Sequence, residues 1–120
     1  MEIKKLIKLL ADIADKKKAE NIKVFEVKEK VWITDYVMLV GVKNPIHSKA
    51  ILGDLSKEIS KLISPDQIDY YRPPKVSGTE ESGWVILDLN SIIIHCIDDK
   101  TREQYDIDQL FEKQGITYHY

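Results

Sequence analysis

Cysteine is nearly absent from this chain of 120 residues, where Cys96 is the single example. One cysteine cannot form an internal disulfide, and disulfide-rich scaffolds belong to oxidising compartments. Cys96 lies within an apolar run, a setting typical of a reduced thiol that packs as a small hydrophobic side chain. The sequence therefore argues against a disulfide-stabilised secreted domain, and we expect a cytoplasmic protein.

Long apolar runs and an excess of charge of one sign are also missing. No apolar run approaches the ~18 residues that cross a bilayer, and the first residues enter an amphipathic repeat without a signal-peptide pattern. Lys and Arg number 18 against 20 Asp and Glu, which gives a net charge of −2. This balance lacks the basic footprint of a non-specific nucleic-acid-binding protein, although a local basic patch is compatible with it. We expect no membrane partner.

Metal-binding patterns are absent from the sequence as well. The three histidines and the one cysteine stand at spacings that match no zinc pattern. We therefore expect neither a bound metal nor a cofactor.

The most hydrophobic stretch, residues 84–97, predicts a buried β-hairpin with a two-residue loop at Asn90 and Ser91. Such a loop places six apolar side chains on one face of the hairpin: Val85, Leu87, Leu89, Ile92, Ile94 and Cys96. The other face carries Trp84, Ile86, Asp88, Ile93, His95 and Ile97. On that face Asp88 and His95 are diagonal neighbours within hydrogen-bonding reach. A three-residue loop with a bulge would exchange the faces of one strand.

Two further segments have the apolar period of amphipathic helices. The first spans about residues 2–19, and its lysine run at 16–18 lies at the end where the helix dipole favours cations. A solvated, dipole-matched run is the favoured interpretation of these lysines, and an RNA contact is the alternative. The second helix reaches residue 63 and begins at Asn44 and Pro45, a typical N-cap and first-turn pair.

Short strands are predicted at residues 22–27 and 36–40, in addition to the hairpin. The polar segment 64–83 suggests an edge strand near residues 68–71, followed by a loop.

The predicted elements form one domain, because the chain is long enough for a single core and too short for two. Helical pieces follow Asp98 and end at Gly115, so we expect the domain to cover residues 1–115. Residues 116–120 are expected to form a frayed tail. The predicted class is α/β, with a mixed four- or five-stranded sheet flanked by helices.

The Asp88–His95 pair is the first candidate for catalysis, because a carboxylate that orients an imidazole is half of a catalytic device. However, no Ser or Cys nucleophile is clearly placed on the same face, and Cys96 points the other way. A structural pair is therefore favoured over a catalytic one.

The order of a strand, Gly41, a helix and then Asp88 on a later strand is similar to nucleotidyltransferases of the polymerase-β type. Those enzymes carry Gly-Ser after the strand and Asp-x-Asp for two metal ions, whereas this chain has Gly41-Val42 and Asp88-Leu89-Asn90. Losing one carboxylate removes much of the charge that holds Mg²⁺. The pattern favours a nucleotidyltransferase-like topology without the activity, and an enzyme that uses Asp88 is the rival interpretation.

Four short motifs stand in order along the chain: Lys18-Ala19-Glu20-Asn21-Ile22; Ile33-Thr34-Asp35-Tyr36 with Gly41; Gly83-Trp84-Val85-Ile86-Leu87-Asp88 with His95; and Arg102 and Tyr105 with Leu110-Phe111. As an ordered set they resemble the ribosomal silencing factor family, also called Iojap-like, from about Ile3 to Lys113. The resemblance implies an α/β fold related to nucleotidyltransferases and a translation repressor that is not an enzyme. It implies binding to protein fourteen of the large ribosomal subunit, which hinders joining of the small subunit. Organellar members assist large-subunit assembly.

Seven residues of these motifs are expected to form the partner-binding site: Asp35, Tyr36, Trp84, Asp88, His95, Arg102 and Tyr105. Trp, Tyr and Arg are the types that dominate hot spots of protein interfaces, and a near-neutral net charge suits docking onto a protein. Contact with ribosomal RNA would be minor and would involve local lysines. A regulatory domain whose aromatic face pairs with a second copy is a further alternative, and a homodimer off the ribosome is compatible with the main interpretation.

Overall fold

The computed structural model describes residues 3–27, 35–62, 75–89, 91–113 and 115–120. The described residues contain four α-helices: α1 Ile3–Lys16, α2 Pro45–Leu62, α3 Asp99–Gln104 and α4 Ile107–Glu112. They also contain six strands: β1 Glu20–Val27, β2 Tyr36–Val42, β3 Lys75–Thr79, β4 Trp84–Asp88, β5 Ile92–Asp98 and β6 Gly115–His119. A single 3₁₀ turn, Glu80–Ser82, connects β3 to β4.

The strands form one mixed sheet in the order β3-β4-β5-β2-β1-β6. The central strands β2 and β5 run parallel, and every other neighbouring pair is antiparallel. The α/β class and the mixed sheet are confirmed, but the sheet has six strands where the sequence predicted four or five. The additional strands lie at the edges, where little apolar surface is buried and the sequence carries a weak strand signal.

The amphipathic helices α1 and α2 cover one side of the sheet. The apolar stripe of α1 points inward and buries Ile7, Leu10, Ala11 and Ala14, as the helical spacing predicts. The α2 helix begins where expected, since Oδ1 of Asn44 accepts a hydrogen bond of 2.8 Å from the backbone N–H of His47. The main core therefore lies between these two helices and the sheet.

The β4–β5 hairpin has the predicted register. Val85 stands opposite Cys96, and Leu87 stands opposite Ile94. These four side chains are buried in the main core beneath α1 and α2. Burial raises the pKa of the Cys96 thiol to about 12, so the thiol stays protonated and apolar in character.

A second, smaller core lies on the opposite side of the sheet, under the short helices α3 and α4. Its buried members are Phe25, Val37, Leu39, Ile97, Ile107 and Phe111. The helices cover only part of this side, because Ile86, Asp88 and Ile93 on β4 and β5 remain half-buried. The two faces predicted for the hairpin are thus confirmed, one roofed by helices and one partly open.

The prediction of a frayed tail at residues 116–120 is wrong. Residues 115–119 form strand β6, which pairs antiparallel with β1 and places Tyr118 opposite Val24. Gly115 was expected to end the last helix, but α4 ends at Glu112 and Gly115 opens β6. The physical reason is that β1 would otherwise be an edge strand with unpaired N–H and C=O groups.

Some expectations lie outside the described residues. They are the edge strand near residues 68–71 and the motif residues Ile33 and Thr34. Within the described residues, no helix combines the length and apolar character that crossing a lipid bilayer requires.

Candidate protein-interaction site

Aromatic rings form a continuous row across the partly open side of the sheet. Tyr105 at the end of α3 lies 5.6 Å from Trp84, measured between ring centroids, and Trp84 lies 6.0 Å from His95. His95 is 5.7 Å from Phe111, which is 5.7 Å from Phe25. All four contacts are tilted, a favourable arrangement for aromatic pairs. We call these five side chains the aromatic row.

The row runs from solvent into the second core. Tyr105 is 57% exposed and Trp84 is half-buried, whereas His95 is only 7% exposed and Phe111 and Phe25 are buried. An exposed ring is therefore supported by progressively more buried rings behind it. This arrangement presents a large apolar contact area that loses little conformational freedom on binding, as interface hot spots require.

A hydrogen bond fixes the indole of Trp84. Its Nε1–H donates to Nδ1 of His95 at 3.0 Å. Because an indole nitrogen only donates, Nδ1 of His95 must accept, and the imidazole is neutral with its proton on Nε2. Burial lowers the pKa of His95 to about 4, which agrees with a neutral ring at physiological pH.

The partner predicted for His95 was therefore wrong. The sequence pairs His95 with Asp88, but the ring bonds Trp84, the diagonal neighbour on the other side of Ile86 in the hairpin register. No carboxylate contributes to the shift in the pKa of His95, which burial alone explains. Asp88 lies on the same sheet face at the far end of β4, opposite Ile93.

The turn before Trp84 holds the start of β4 against the end of β5. Gly83 has a left-handed φ of 83°, and a Cβ there would lie 2.2 Å from Oδ2 of Asp98, so only glycine fits. Its carbonyl accepts a hydrogen bond of 3.0 Å from the backbone N–H of Asp98. Oδ1 of Asp98 accepts from the N–H of Thr101 at 2.8 Å and caps α3. Glycine, cap and helix together place Tyr105 over Trp84.

Arg102, on the helix α3 that precedes Tyr105, does not face solvent. It is 6% exposed, and its Nε and Nη2 donate to Oδ1 and Oδ2 of Asp108 at 2.5 and 2.9 Å. Lys23 on β1 adds a 2.7 Å ion pair to the same carboxylate. Burial acts to raise the pKa of Asp108, but the hydrogen bonds and charges of Arg102 and Lys23 outweigh it and lower this pKa to about 2. Through Asp108, Arg102 and Lys23 thus tie α3 to α4 and to β1.

Two predicted site residues lie apart from the aromatic row. Tyr36 is buried within the main core, on the α1 and α2 side of the sheet, and burial raises the pKa of its hydroxyl. Asp35 is exposed just before β2 begins. The structure therefore brings Trp84, His95 and Tyr105 together and keeps Asp88 on the same face. Arg102 lies on the helix that leads to Tyr105 but bonds Asp108, and Asp35 and Tyr36 lie apart from the row.

Three residues of the site were missed as site residues from the sequence. Phe25 and Phe111 complete the aromatic row, and Asp108 holds Arg102. The signal for Asp108 was present, because an acidic residue six positions after an arginine lies within reach when a turn separates two short helices. The phenylalanines gave no such signal, since an aromatic residue on a strand or a helix is ordinarily a core residue.

Gly41 has a structural role in this fold. A Cβ at Gly41 would lie 2.3 Å from the carbonyl oxygen of Glu20, its partner where β1 carries a bulge. Asn21 in that bulge adopts a left-handed φ of 47°. Gly41, which stands where nucleotidyltransferases of the polymerase-β type carry the glycine of Gly-Ser, thus permits close approach of β1. In the described part of the chain, no group of three His, Cys, Asp or Glu side chains is placed to hold a metal ion.

The fold and the site define a class: a single α/β domain with a mixed six-stranded sheet, two helices on one side and an aromatic row on the other. Solved structures share this fold. A Chromobacterium violaceum protein superposes with a TM-score of 0.78 at 18% identity over 93% of this chain and 88% of that one. A Bacillus halodurans protein gives a TM-score of 0.68 at 22% identity over 89% of this chain and 93% of that one.

The family model described as "Ribosomal silencing factor during starvation" matches residues 1–118, and the chain belongs to this family, RsfS. The ribosomal silencing factor RsfS of Bacillus subtilis is 24% identical over 113 residues, which cover 92% of this chain and 88% of that protein. A mouse protein named mitochondrial assembly of ribosomal large subunit protein 1 is 27% identical over 105 residues. Those residues cover 88% of this chain and 44% of the mouse protein. The resemblance stated from the sequence is therefore confirmed.

Proposed function

We propose that this protein binds the large ribosomal subunit through the aromatic row and represses translation by hindering joining of the small subunit. Membership of the ribosomal silencing factor family supports the target. The observation that carries the proposal is Tyr105, an exposed ring seated on Trp84, whose own ring is fixed by His95. A preorganised aromatic surface of this kind is suited to protein binding.

The proposed partner is one ribosomal protein, protein fourteen of the large subunit, as the resemblance to the family implies. The face around the row offers an apolar centre, from Trp84 to the half-buried Ile86 and Ile93, with Asp88 beside it. An apolar centre bordered by polar groups is the usual composition of a protein interface. Contact with ribosomal RNA would be secondary at this face, where acidic residues outnumber lysines.

The proposed mechanism is steric and needs no chemical step. The protein extends 41 × 33 × 23 Å, so a copy bound at the intersubunit face occupies space that the small subunit needs. The predicted site residues then divide by role. Trp84, Asp88 and Tyr105 contact the partner, His95 and Arg102 hold them in place, Tyr36 supports the sheet, and Asp35 is an outlying contact. Off the ribosome, the same face is suited to pairing with a second copy.

A role in assembly of the large subunit is the second candidate. The observation that favours it is the name of the mouse relative, which describes assembly of the mitochondrial large ribosomal subunit. Both functions need the same docking face, and they differ in the particle that is bound. Binding to immature large subunits in preference to mature ones would favour the assembly role.

Co-sedimentation with purified large and small subunits tests the docking face. We expect wild-type protein to pellet with large subunits and not with small subunits. Tyr105→Ala should weaken binding to large subunits by about 30-fold, or roughly 2 kcal/mol, as for a central hot-spot residue. Tyr120→Ala is the matched control, because Tyr120 is also about half exposed (50%) but follows the edge strand β6.

Three outcomes would contradict the proposal. They are no binding of the wild type, equal binding of both subunits, and full binding by a Tyr105→Ala variant shown to be folded. A subunit-joining assay with both subunits then separates repression from binding alone, because a protein that binds without blocking leaves the yield of joined ribosomes unchanged.

A further inference from the structure

Charge is segregated between the two sides of the sheet. The basic layer, defined as α1 with the turn after it and α2, covers residues 3–18 and 45–62 and carries nine lysines against four carboxylates, a net charge of +5. The segment 98–113, which contains α3 and α4, carries three basic and six acidic residues, a net charge of −3. The near-neutral total of −2 therefore hides a strongly basic side.

The lysines of the basic layer are directed to solvent. All nine are exposed: Lys4, Lys5, Lys8, Lys16, Lys17, Lys18, Lys49, Lys57 and Lys61. Within the part of the chain that the structure describes, only Lys17 and Lys61 form salt bridges, to Asp54 and Glu58, each at 3.3 Å. Seven positive charges on this surface are thus left for an external partner.

The position of two lysines is unfavourable for the helix that carries them. Lys4 and Lys5 lie in the first turn of α1, which contains no acidic residue. The helix dipole favours anions and disfavours cations in this turn. Local helix stability therefore does not explain Lys4 and Lys5, whereas an anionic partner does.

Helix packing places the lysines of α2 beside α1 in the same layer. Nε2 of His47, at the start of α2, lies 2.6 Å from the carbonyl oxygen of Lys17, just after the end of α1. Nζ of Lys17 also lies 3.3 Å from Oδ2 of Asp54, in the middle of α2. The two helices therefore pack side by side on one side of the sheet, and Lys57 and Lys61 of α2 add to the positive charge of this side.

We propose that the basic layer is a second binding surface, which takes the phosphate backbone of double-helical RNA. Exposed lysines contact phosphates, and phosphate contacts position a protein on a duplex without reading its sequence. RNA is favoured over an anionic membrane because the apolar stripe of α1 is already buried against the sheet, so no amphipathic face is free to enter a bilayer. The surface lies opposite the aromatic row, so RNA and a protein partner can be bound at the same time.

Fluorescence anisotropy with a labelled 20-base-pair RNA duplex tests this proposal without the ribosome. We expect wild-type protein to bind with a non-specific dissociation constant of about 10⁻⁶–10⁻⁴ M at physiological salt, and more tightly at low salt. The variant Lys4→Glu/Lys5→Glu/Lys8→Glu should lose at least 10-fold in affinity and reduce the salt slope by about 3. It should also fold, because glutamates are favoured at the amino end of a helix.

The control variant, Lys75→Glu/Lys100→Glu/Lys113→Glu, makes the same change in net charge at exposed positions on β3, on α3 and after α4. It should retain RNA affinity within about threefold, and so should Tyr105→Ala. Equal loss in both triple variants would overturn the proposal, because net charge would then explain the binding. Absence of wild-type binding would also overturn it, as would tighter binding to phosphatidylglycerol vesicles than to RNA. Large-subunit binding that depends on Tyr105 would leave the proposed function standing in each of these cases.

Discussion

A single neutral imidazole determines the geometry of the aromatic row. Nδ1 of His95 accepts a hydrogen bond from the indole N–H of Trp84, and the ring packs on Phe111. A protonated imidazole would instead direct its own Nδ1–H at the indole N–H. Protonation therefore both breaks the hydrogen bond and places a charge in an apolar core. Sequence reasoning identified His95 as special but assigned it the wrong partner.

The first prediction is a loss of stability in mild acid. The pKa of His95 is about 4 in the folded protein against 6.5 for an unperturbed histidine, so the unfolded chain binds the proton first as the pH falls. The free energy of unfolding should be full above pH 6.5, fall as the pH drops, and level off below pH 4. The total loss is about 3 kcal/mol at 1.36 kcal/mol per pKa unit. Urea unfolding at pH 7 and pH 4.5 should show most of this loss, about 2.4 kcal/mol.

The control for this prediction is His95→Gln. Glutamine cannot titrate, and its carbonyl oxygen can still accept a hydrogen bond from Trp84. The variant should lose most of the pH dependence between pH 6.5 and pH 4. An unchanged pH dependence would assign the effect to other groups, and Asp108 titrates lower, between 3.8 and about 2.

At the scale of elements, two glycines have opposite roles. Gly41 lies on β2 where β1 approaches too closely for any side chain, whereas Gly53 lies within α2 with open space around it. Sequence alone treats both as glycines inside regular elements. Packing against β1 determines which one is required.

Alanine substitutions should therefore change stability in opposite directions. Gly41→Ala places a methyl group 2.3 Å from a backbone oxygen of Glu20, so β1 must shift, and we expect a loss of about 2 kcal/mol or more. Gly53→Ala should gain about 0.5–1 kcal/mol, because alanine restricts the unfolded chain and favours the helix. Chemical denaturation of both variants measures the difference, and a stable Gly41→Ala variant would argue against the close approach.

At the scale of the whole molecule, two cores share one sheet. The main core under α1 and α2 and the second core under α3 and α4 are formed by opposite faces of the same strands. Adjacent residues Met38 and Leu39 of β2, for example, are buried in different cores. Loss of either core exposes the strands that form the other.

We therefore expect one cooperative unfolding transition. Leu55→Ala in the main core and Ile107→Ala in the second core should each lower the free energy of the same unfolding transition by about 2–5 kcal/mol. Circular dichroism and intrinsic fluorescence should give coincident curves for both variants. Separate transitions, with Ile107→Ala moving only one of them, would show that the α3–α4 layer unfolds on its own.

The sequence by itself determined the elements whose burial is periodic. The two-residue loop predicted between the two apolar runs of residues 84–97 set the hairpin register, and the helical period set α1 and α2, because one-sided burial of a helix leaves a repeating pattern. The ordered motifs also indicated the family. The edge strands β3 and β6 bury little and left no such pattern, so they appeared only in the folded sheet.

Only the tertiary structure decided which neighbour His95 bonds and which site residues face a partner. Asp88 and Trp84 are equivalent diagonal neighbours in the register, and the choice follows from desolvation by the α3–α4 layer. That layer excludes water from the Trp84 end of β4, where burying a neutral indole N–H costs less free energy than burying a carboxylate. Arg102 turns inward because the half-buried carboxylate of Asp108 on α4 accepts two of its hydrogen bonds, whereas Tyr105 remains exposed. Local sequence carries the period of burial, whereas the contacts of a polar group depend on what packs over it.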